Sequence, residues 1–379
     1  LSYWKIRGSF ASVGTAFERY IANPLFAWNT SIGQWSNLTD FPVYDLKPER
    51  TNSFEVGMNM RFLKNFELDV TYYNAKTMNQ TFNPELPVGE YARIYIQTGA
   101  VRNQGLELAL NYNNTWKDFT WNTGVTYSMN KNKILTLADN AINPITREKF
   151  SISSLNMGGL GSTRFILKEG GSMGDIYSLM DLKRDANGAV YIDENNSVVT
   201  ESLEANNYIK LGSVLPKGNL AWRNNFSWKN INVAFLVSAR LGGVVFSRTQ
   251  AVLDNFGVSE ASAAARDKGY VSVNGNDRVN PEGWYSVVAG GTAVPQYYIY
   301  SATNIRLQEA SIGYTIPRKW LGNVCDIKVS LIGRNLWMIY NKAPFDPESV
   351  ASTDNFYQGI DYFMMPSLRN IGFNLSFKF

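Results

Sequence analysis

The 379-residue sequence contains no histidine and a single cysteine, Cys325. Without histidine the chain cannot carry out Ser-His-Asp or Cys-His catalysis, and it cannot build an imidazole zinc site. One cysteine excludes an intrachain disulfide and any metal centre with several cysteines. Most enzyme classes are therefore disfavoured, and we expect no catalytic residues, no metal site and no cofactor.

Long apolar runs and clusters of like charge are also missing. No stretch of 18 or more apolar residues occurs, which excludes a transmembrane helix. The 36 Lys and Arg residues and 32 Asp and Glu residues give a net charge of +4, and the basic residues are scattered along the sequence. A nucleic-acid interface would need a basic stripe, so we expect no nucleic-acid partner.

What the sequence does contain is alternation of apolar and polar residues over about ten segments. In "SFEVGMNMRF", Phe54 and Val56 lie on one face of a strand, and Glu55 and Gly57 lie on the other. The segments run to roughly 9–14 residues, close to the ~9–11 of a tilted membrane strand. Strands of soluble proteins average only ~5–6 residues. In "NIRLQEASIGYTIP" the alternation slips by one residue, which predicts a β-bulge near Glu309.

Short and long connections alternate between these segments. The short ones are "LKN", "NNTWKD", "KN" and "PRKWLGN", and the long ones lie near 14–52, 79–100, 132–216, 246–301 and 339–366. Outer-membrane barrels have short periplasmic turns and long extracellular loops, with aromatic girdles at both interfaces. Trp116, Trp228, Trp320 and Trp337 lie near segment ends, as a girdle requires. The sequence predicts an all-β fold: about ten strands of an antiparallel transmembrane β-barrel.

Six sequence blocks follow one another in a specific order. They are "LKPERTNSFEVGMNMRF…ELDVTYYNAKTMNQ", "TGAVRNQGLELALNYN", "FTWNTGVTYSMNKNKI", "NIRLQEASIGYTIP", "VSLIGRNLWMIYNKAPFDPES" and "PSLRNIGFNLSFKF". The chain from Leu1 to Phe379 thereby resembles the C-terminal part of the barrel in SusC/RagA-type TonB-dependent transporters of Bacteroidetes.

The resemblance implies a larger protein with a 22-stranded barrel in the bacterial outer membrane. Residues 1–379 would form one barrel segment, and the plug, the N-terminal domain and the TonB box would lie outside it. The family imports glycan oligosaccharides or peptides, covered by a SusD-like surface lipoprotein, as a dimer of such pairs. TonB would act through the missing N-terminal region. The terminal Phe379 would serve as the assembly signal.

Two rival functions stay open on the sequence alone. A passive porin or an adhesin-type barrel would share the wall and the long loops, but it would need neither TonB nor a lid. An outer-membrane phospholipase or protease barrel is disfavoured because its familiar versions use histidine. A plug domain upstream of this chain would favour import over either rival.

Charged residues on the polar face are the first group of candidate site residues. They would line the lumen or contact the plug, and they are Glu55, Arg61, Glu107, Arg223, Arg240, Arg306 and Lys328. The alternative is a solvated wall whose charges pair across strands. Loop aromatics form the second group, as contacts for ligand or lid, or as packing among the loops: Trp28, Trp35, Trp284 and Tyr285.

One loop faintly resembles a calcium site. Within 181–194, Asp185, Asn187 and Asp193 surround Gly188. The closing glutamate of an EF-hand is missing at the required spacing. An Asn-Gly turn explains the same residues more simply.

Overall fold

Ten long strands pair in chain order into one antiparallel sheet. The computed structural model describes residues 1–17, 20–21, 26, 28–35, 40–41, 46–83, 93–142, 147–291, 294–322, 324–354 and 357–378. The strands are β1 (Tyr3–Thr15), β2 (Glu49–Phe62), β3 (Phe66–Phe82), β4 (Ile96–Trp116), β5 (Phe119–Thr136), β6 (Gly218–Trp228), β7 (Ile231–Leu241), β8 (Asn304–Ile316), β9 (Asp326–Asn341) and β10 (Asn370–Lys378). We call this sheet the wall.

The wall has one apolar and one polar face, as the alternation predicts. Residues paired across antiparallel strands share a face, and Met58, Val70, Leu108 and Tyr127 form one such row. Side chains on this apolar face are widely exposed, up to 77% for Phe373. Loops pack on the opposite face. We call the apolar face outer and the polar face inner; a single wall replaces the two stacked sheets of a sandwich.

Aromatic side chains line the outer face beside the short turns. The ring centroids of Phe62 and Phe66 are 5.4 Å apart, those of Phe66 and Tyr112 4.7 Å, and those of Tyr112 and Trp121 5.2 Å. This ladder crosses four strands at one rim, where an interfacial girdle is expected. Further exposed members are Trp116, Trp228 and Trp320, and Trp337 is exposed nearer the long loops.

The strands extend further than the sequence predicts. Their lengths run from 9 residues in β10 to 21 in β4, instead of roughly 9–14. Much of the excess lies at the long-loop end of β3, β4 and β5, where outward positions become polar and the inward residues Val101 and Ile134 are apolar. Hydropathy alternation fades there, but the backbone hydrogen bonds continue. At the opposite rim, backbone pairing also continues into the predicted connection "NNTWKD", so the turn between β4 and β5 is only the two residues 117–118.

The β-bulge is confirmed at Gln308. Val237 pairs with Leu307 and Leu236 pairs with Glu309, so Gln308 has no partner position on β7. The extra residue restores the apolar side chains of β8 to the outer face beyond the slip.

Three long connections, 137–217, 242–303 and 342–369, fold together into one body with its own core, which we call the loop body. Its strands are Ala138–Ile142, Lys149–Ile152, Ser154–Leu160, Thr163–Lys168, Asp175–Ser178, Met180–Leu182, Thr200–Ser202, Ile209–Ser213, Val244–Ser247, Val271–Val273, Asp277–Val279, Ile299–Ser301 and Ile360–Asp361. Phe165, Phe246, Val288 and Ile360 are among the buried side chains of its core.

Three short helices complete the loop body: α1 (Arg248–Asn255), α2 (Glu260–Lys268) and α3 (Pro281–Val288). Helix α2 is capped at its N-terminus by Ser259, whose side chain accepts a hydrogen bond from the backbone N–H of Ser262. In the described residues no helix has the length and apolar character needed to cross a membrane. The 3₁₀ turns are Ala205–Asn207, Pro295–Tyr298 and Arg318–Leu321.

The first two long connections contribute smaller elements. Trp28–Asn29 pairs with Gln34–Trp35, and Asp40–Phe41 pairs in parallel with Arg93–Ile94.

The loop body rests on the inner face of the wall. The backbone N–H of Ile134 in β5 donates to Gly171 O at 2.9 Å, and the N–H of Met173 donates to Asn132 Oδ1 at 2.8 Å. Ile134 and Val101 are buried in a second apolar cluster at this contact. The loops therefore lie over the inner face, where they narrow any path along it.

An arginine should be far more costly on the outer face than on the inner face. Val125 lies midway along the outer apolar band of β5, and the next residue, Thr126, points inward. In the intact protein Val125→Arg should lose about 2–4 kcal/mol of stability near the bilayer midplane. Thr126→Arg should change it by less than about 0.5 kcal/mol. The temperature at which compact gel mobility is lost reports this difference; equal shifts would contradict the assignment of the faces.

Candidate functional site

A polar row of directly paired residues crosses the inner face from β1 to β8. Its members, in order of register, are Arg7, Gly57, Thr71, Glu107, Ser128, Asn219, Arg240 and Asn304. Residues of six wall strands, β1 and β3 to β7, line a cavity of about 480 Å³ whose lining includes Arg7, Asp69, Glu107, Arg240 and Glu348. Both charge signs are present. A hydrated cavity of this kind can hold polar groups of either sign.

Arg7 and Asp69 form a fixed ion pair at one side of this cavity. Arg7 Nη2 lies 2.6 Å from Asp69 Oδ1, and Arg7 Nη1 donates to Asp69 Oδ2 at 3.0 Å. Thr71 Oγ1 accepts a further hydrogen bond from Arg7, and Asn59 Nδ2 donates to Asp69 at 3.2 Å. Gly57 permits this crossing, because a Cβ there would lie 2.7 Å from Arg7 Nε. The two-pronged geometry orients both groups.

Arg240 joins the wall to the loop body. Its Nη2 donates to Val214 O at 2.8 Å. Within the described part of the chain its Nε is buried without a hydrogen-bond partner. Arg240 also lines the cavity, in the same inner row as Glu107 but three strands away, so one charged group both holds a loop and borders the cavity.

A buried ion-pair network attaches the last long connection to the wall. Arg306 is only 4% exposed. Its Nη2 lies 2.8 Å from Asp346 Oδ1 and 3.1 Å from Glu348 Oε2, and its Nε donates to Asn304 Oδ1 at 3.2 Å. Buried charges are costly unless paired in this way. If the 342–369 connection left the wall, Arg306 would therefore lose its ion-pair partners Asp346 and Glu348.

The Asp346 carboxylate stays ionised in this setting. Burial acts to raise its pKa, but hydrogen bonds from Arg306, from Ser367 Oγ and from the backbone N–H of Glu348 outweigh burial and hold the pKa below its usual value. The charged form is thus the one that docks.

The predicted inward residues divide into groups in the structure. Glu107 and Arg240 both line the cavity. Arg306 is on the inner face, as predicted, but the 342–369 connection covers it, so it does not line open space. Arg61 pairs across strands with Glu67 at 3.5 Å, which fits the alternative of mutually paired wall charges.

The three other predicted inward residues lie away from the cavity. Lys328 Nζ donates to Asn232 Oδ1 at 3.4 Å. Arg223 lies on the inner face, where its position pairs with Leu236. Glu55 is exposed beside Ser9. Whether any of them contacts a plug stays a prediction.

The loop aromatics behave as two different pairs. Trp28 and Trp35 face each other across a two-stranded hairpin, with centroids 5.3 Å apart, and both are at least half exposed. They are available for an external contact. Trp284, by contrast, packs on the core of the loop body and lies 5.2 Å from Tyr297. Tyr285 is half-buried between α1 and α3, and burial raises its pKa.

The 181–194 segment forms two tight turns. Asp185 Oδ1 accepts from the N–H groups of Asn187 and Ala189, and Asp193 Oδ1 accepts from those of Asn195 and Ser197. The described residues hold no group of three or more carboxylate, cysteine or histidine side chains suited to a metal. The turn explanation accounts for both aspartates, and the calcium hypothesis stays untested. Phe379, the predicted assembly signal, lies outside the described residues.

The sequence analysis missed Arg7 and the two carboxylates that pair with Arg306. Arg7 follows the alternation of β1, so extending the pattern to "YWKIRGSF" would have placed it inward. Asp346 and Glu348 carry no local signal, because their role depends on how the 342–369 connection returns to the wall.

Comparison with known proteins identifies the family. Residues 3–235 match the family model described as "TonB dependent receptor-like, beta-barrel". The chain belongs to this family. TonB-dependent receptor P3 of Formosa agariphila is 25% identical over the whole chain, which spans 40% of P3. TonB-dependent receptor P26 of the same organism is 27% identical over 87% of the chain, which spans 34% of P26.

Solved structures agree with this family assignment. The RagAB peptide transporter superposes with a TM-score of 0.72 at 17% identity, over 99% of this chain and 41% of the transporter chain. The RagAB peptide importer in the "open-open" state gives the same score over the whole chain. The predicted SusC/RagA-type barrel fold and outer-membrane location are confirmed. This receptor barrel chain spans about two fifths of these relatives.

Neutralising Arg306 should release the 342–369 connection. Arg306→Gln leaves Asp346 buried without its partner, which costs about 3–5 kcal/mol. Hydrogen exchange of residues 342–369 in the intact protein should therefore accelerate strongly. The matched control is Arg334→Gln on neighbouring β9, whose pair with Glu309 is largely exposed and contributes about 0–1 kcal/mol. Similar hydrogen exchange of residues 342–369 in both variants would show that the Arg306 ion pairs do not attach this connection to the wall.

Acid should weaken the same attachment. Because the docked pKa of Asp346 is depressed, its contribution is complete above the undocked value of ~3.9 and is lost as pH falls through the docked pKa. After correction for intrinsic exchange rates, wild-type protection of 342–369 should exceed that of Asp346→Asn by a constant amount down to about pH 4 and should fall toward it as the pH drops further. A gap between the two proteins that does not change with pH would disprove this role.

Proposed function

We propose that this chain is the C-terminal part of the barrel of a TonB-dependent importer of nutrient oligomers. The observation that supports this proposal is the polar inner face of the wall, which is covered by the loop body. Arg306 and Arg240 hold the loop body in place. A passive pore needs an open path, whereas an importer needs a covered cavity that opens on demand. The plug and the TonB box would lie in the part of the protein outside this chain.

The cavity favours polar cargo, peptides or glycan oligosaccharides. Its lining carries the fixed Arg7–Asp69 pair together with Glu107 and Arg240. Mixed signs suit the alternating donors and acceptors of a peptide backbone or a sugar chain better than a single ion. The RagAB neighbour is named a peptide transporter, which supports the peptide option for this chain.

The exposed apolar tips of the loops favour a lid. Trp28 and Trp35 stand exposed on one hairpin, and Phe256 and Val258 are exposed between α1 and α2. Apolar side chains presented by extracellular loops would be covered by a protein partner. A SusD-like surface lipoprotein, in a dimer of transporter–lid pairs, is the partner we propose. No enzymatic step is assigned to the chain.

Growth and uptake test the import function. A strain lacking the gene for the intact protein should lose growth on one class of defined peptides or glycan oligosaccharides, and the wild-type gene should restore it. A version without the TonB box should not restore it, because the covered cavity would stay shut.

The control is growth on the corresponding monomers, which should not change. Restored uptake without the TonB box would favour the passive porin. Normal growth of the deletion strain on every oligomer would favour the adhesin.

A further inference from the structure

The outer face of the wall changes character at the long-loop end of β3, β4 and β5. On β3 the outward residues run from Phe66 to Tyr72 and then become Asn74 and Lys76. On β4 and β5 the apolar positions likewise give way to basic ones. The outward basic residues beyond the apolar band are Lys76, Arg102, Lys131 and Lys133.

Three of these residues form a continuous row. Lys76 pairs directly with Arg102, and Arg102 pairs directly with Lys133. We call these three the basic row. Like charges opposite each other on neighbouring strands destabilise a sheet. No carboxylate in the described part of the chain lies within 4.0 Å of any of the three. The described residues therefore leave this repulsion uncompensated.

Arg102 is the middle member of the row, and one hydrogen-bond donor of its guanidinium is unsatisfied by the described residues. Its Nε is buried and has no hydrogen-bond partner among the described residues. Leaving such a donor unmatched is costly. An anion on the row would offset the repulsion among the three positive charges, and Arg102 would donate to it through the terminal nitrogens of its guanidinium.

The height of the row fits the headgroup region. Ten residues separate Phe66 in the turn-side girdle from Lys76. At ~3.3 Å per residue along a strand tilted by ~40°, they span roughly 25 Å, the height of the apolar band of a membrane barrel. The long-loop end faces outward from the cell. The basic row therefore lies at the surface of the outer leaflet.

We propose that the basic row binds the phosphate groups of an outer-leaflet glycolipid. Below it, past the paired outward residues Asn74, Gln104 and Lys131, lies an apolar surface that includes exposed Tyr72 and Met129, where the acyl chains of the same lipid would pack. A positive row at the upper edge of the outer face, above an acyl-chain surface, matches an anionic lipid better than a soluble anion. Basic residues at a membrane surface contribute about 1 kcal/mol each to such binding.

The test uses the purified intact protein and native mass spectrometry. The probes are bis-phosphorylated lipid A and its dephosphorylated form. The wild type should retain the phosphorylated lipid selectively. The triple variant Lys76→Gln, Arg102→Gln, Lys133→Gln should bind it about 125-fold more weakly, since each of the three charges is worth roughly a five-fold change. Arg102→Lys should keep most of the affinity.

The control triple variant is Lys64→Gln, Lys117→Gln, Lys229→Gln, which removes the same charge in turns at the opposite rim. It should bind like the wild type. Compact gel mobility confirms folding, and the exposed single variant Lys76→Gln serves if the triple variant does not fold. Wild-type affinity in the basic-row variants, an equal loss in the control, or equal binding of dephosphorylated lipid would each overturn the proposal.

Discussion

The hydrogen-bonding demand of the backbone inside a bilayer governs this structure. Unpaired N–H and C=O groups have no water to bond there, so a strand can cross only beside another strand. Ten strands meet that demand by pairing in chain order. The alternation of side chains then has a simple result: one face of the wall must be apolar enough for lipid, and the other is free to carry polar groups.

The inner face uses that freedom to hold the loops. Arg306 and Arg240 sit on neighbouring strands, and each reaches a different segment of the loop body. The buried Arg306 network is costly to form and more costly to break, so it specifies where the 342–369 connection lies. The loops therefore cover the inner face of the wall at fixed positions. Their shared apolar core holds the three long connections together.

The sequence predicted the wall well, because period-two alternation and the bilayer constraint act locally. Even the bulge at Gln308 left a visible slip. The extensions of β3 to β5 escaped prediction because the alternation changes there: outward positions become polar, whereas Val101 and Ile134 on the inner face are apolar. The loop body escaped for another reason. The contacts of Asp346, Phe165 and Ile360 depend on segments far apart in the chain, and no local pattern encodes them.

The division of the wall into lipid and water faces can be measured directly on β3. With Cys325 replaced by serine, spin labels are placed singly from Leu68 to Lys76 in the intact protein reconstituted in bilayers. Accessibility to oxygen should peak at Leu68 and Val70, and accessibility to a water-soluble nickel complex at Asp69 and Thr71. A label at Lys76 should be accessible to the nickel complex, because this outward position lies beyond the apolar band. Labels on adjacent residues that share one environment would contradict a membrane-spanning wall.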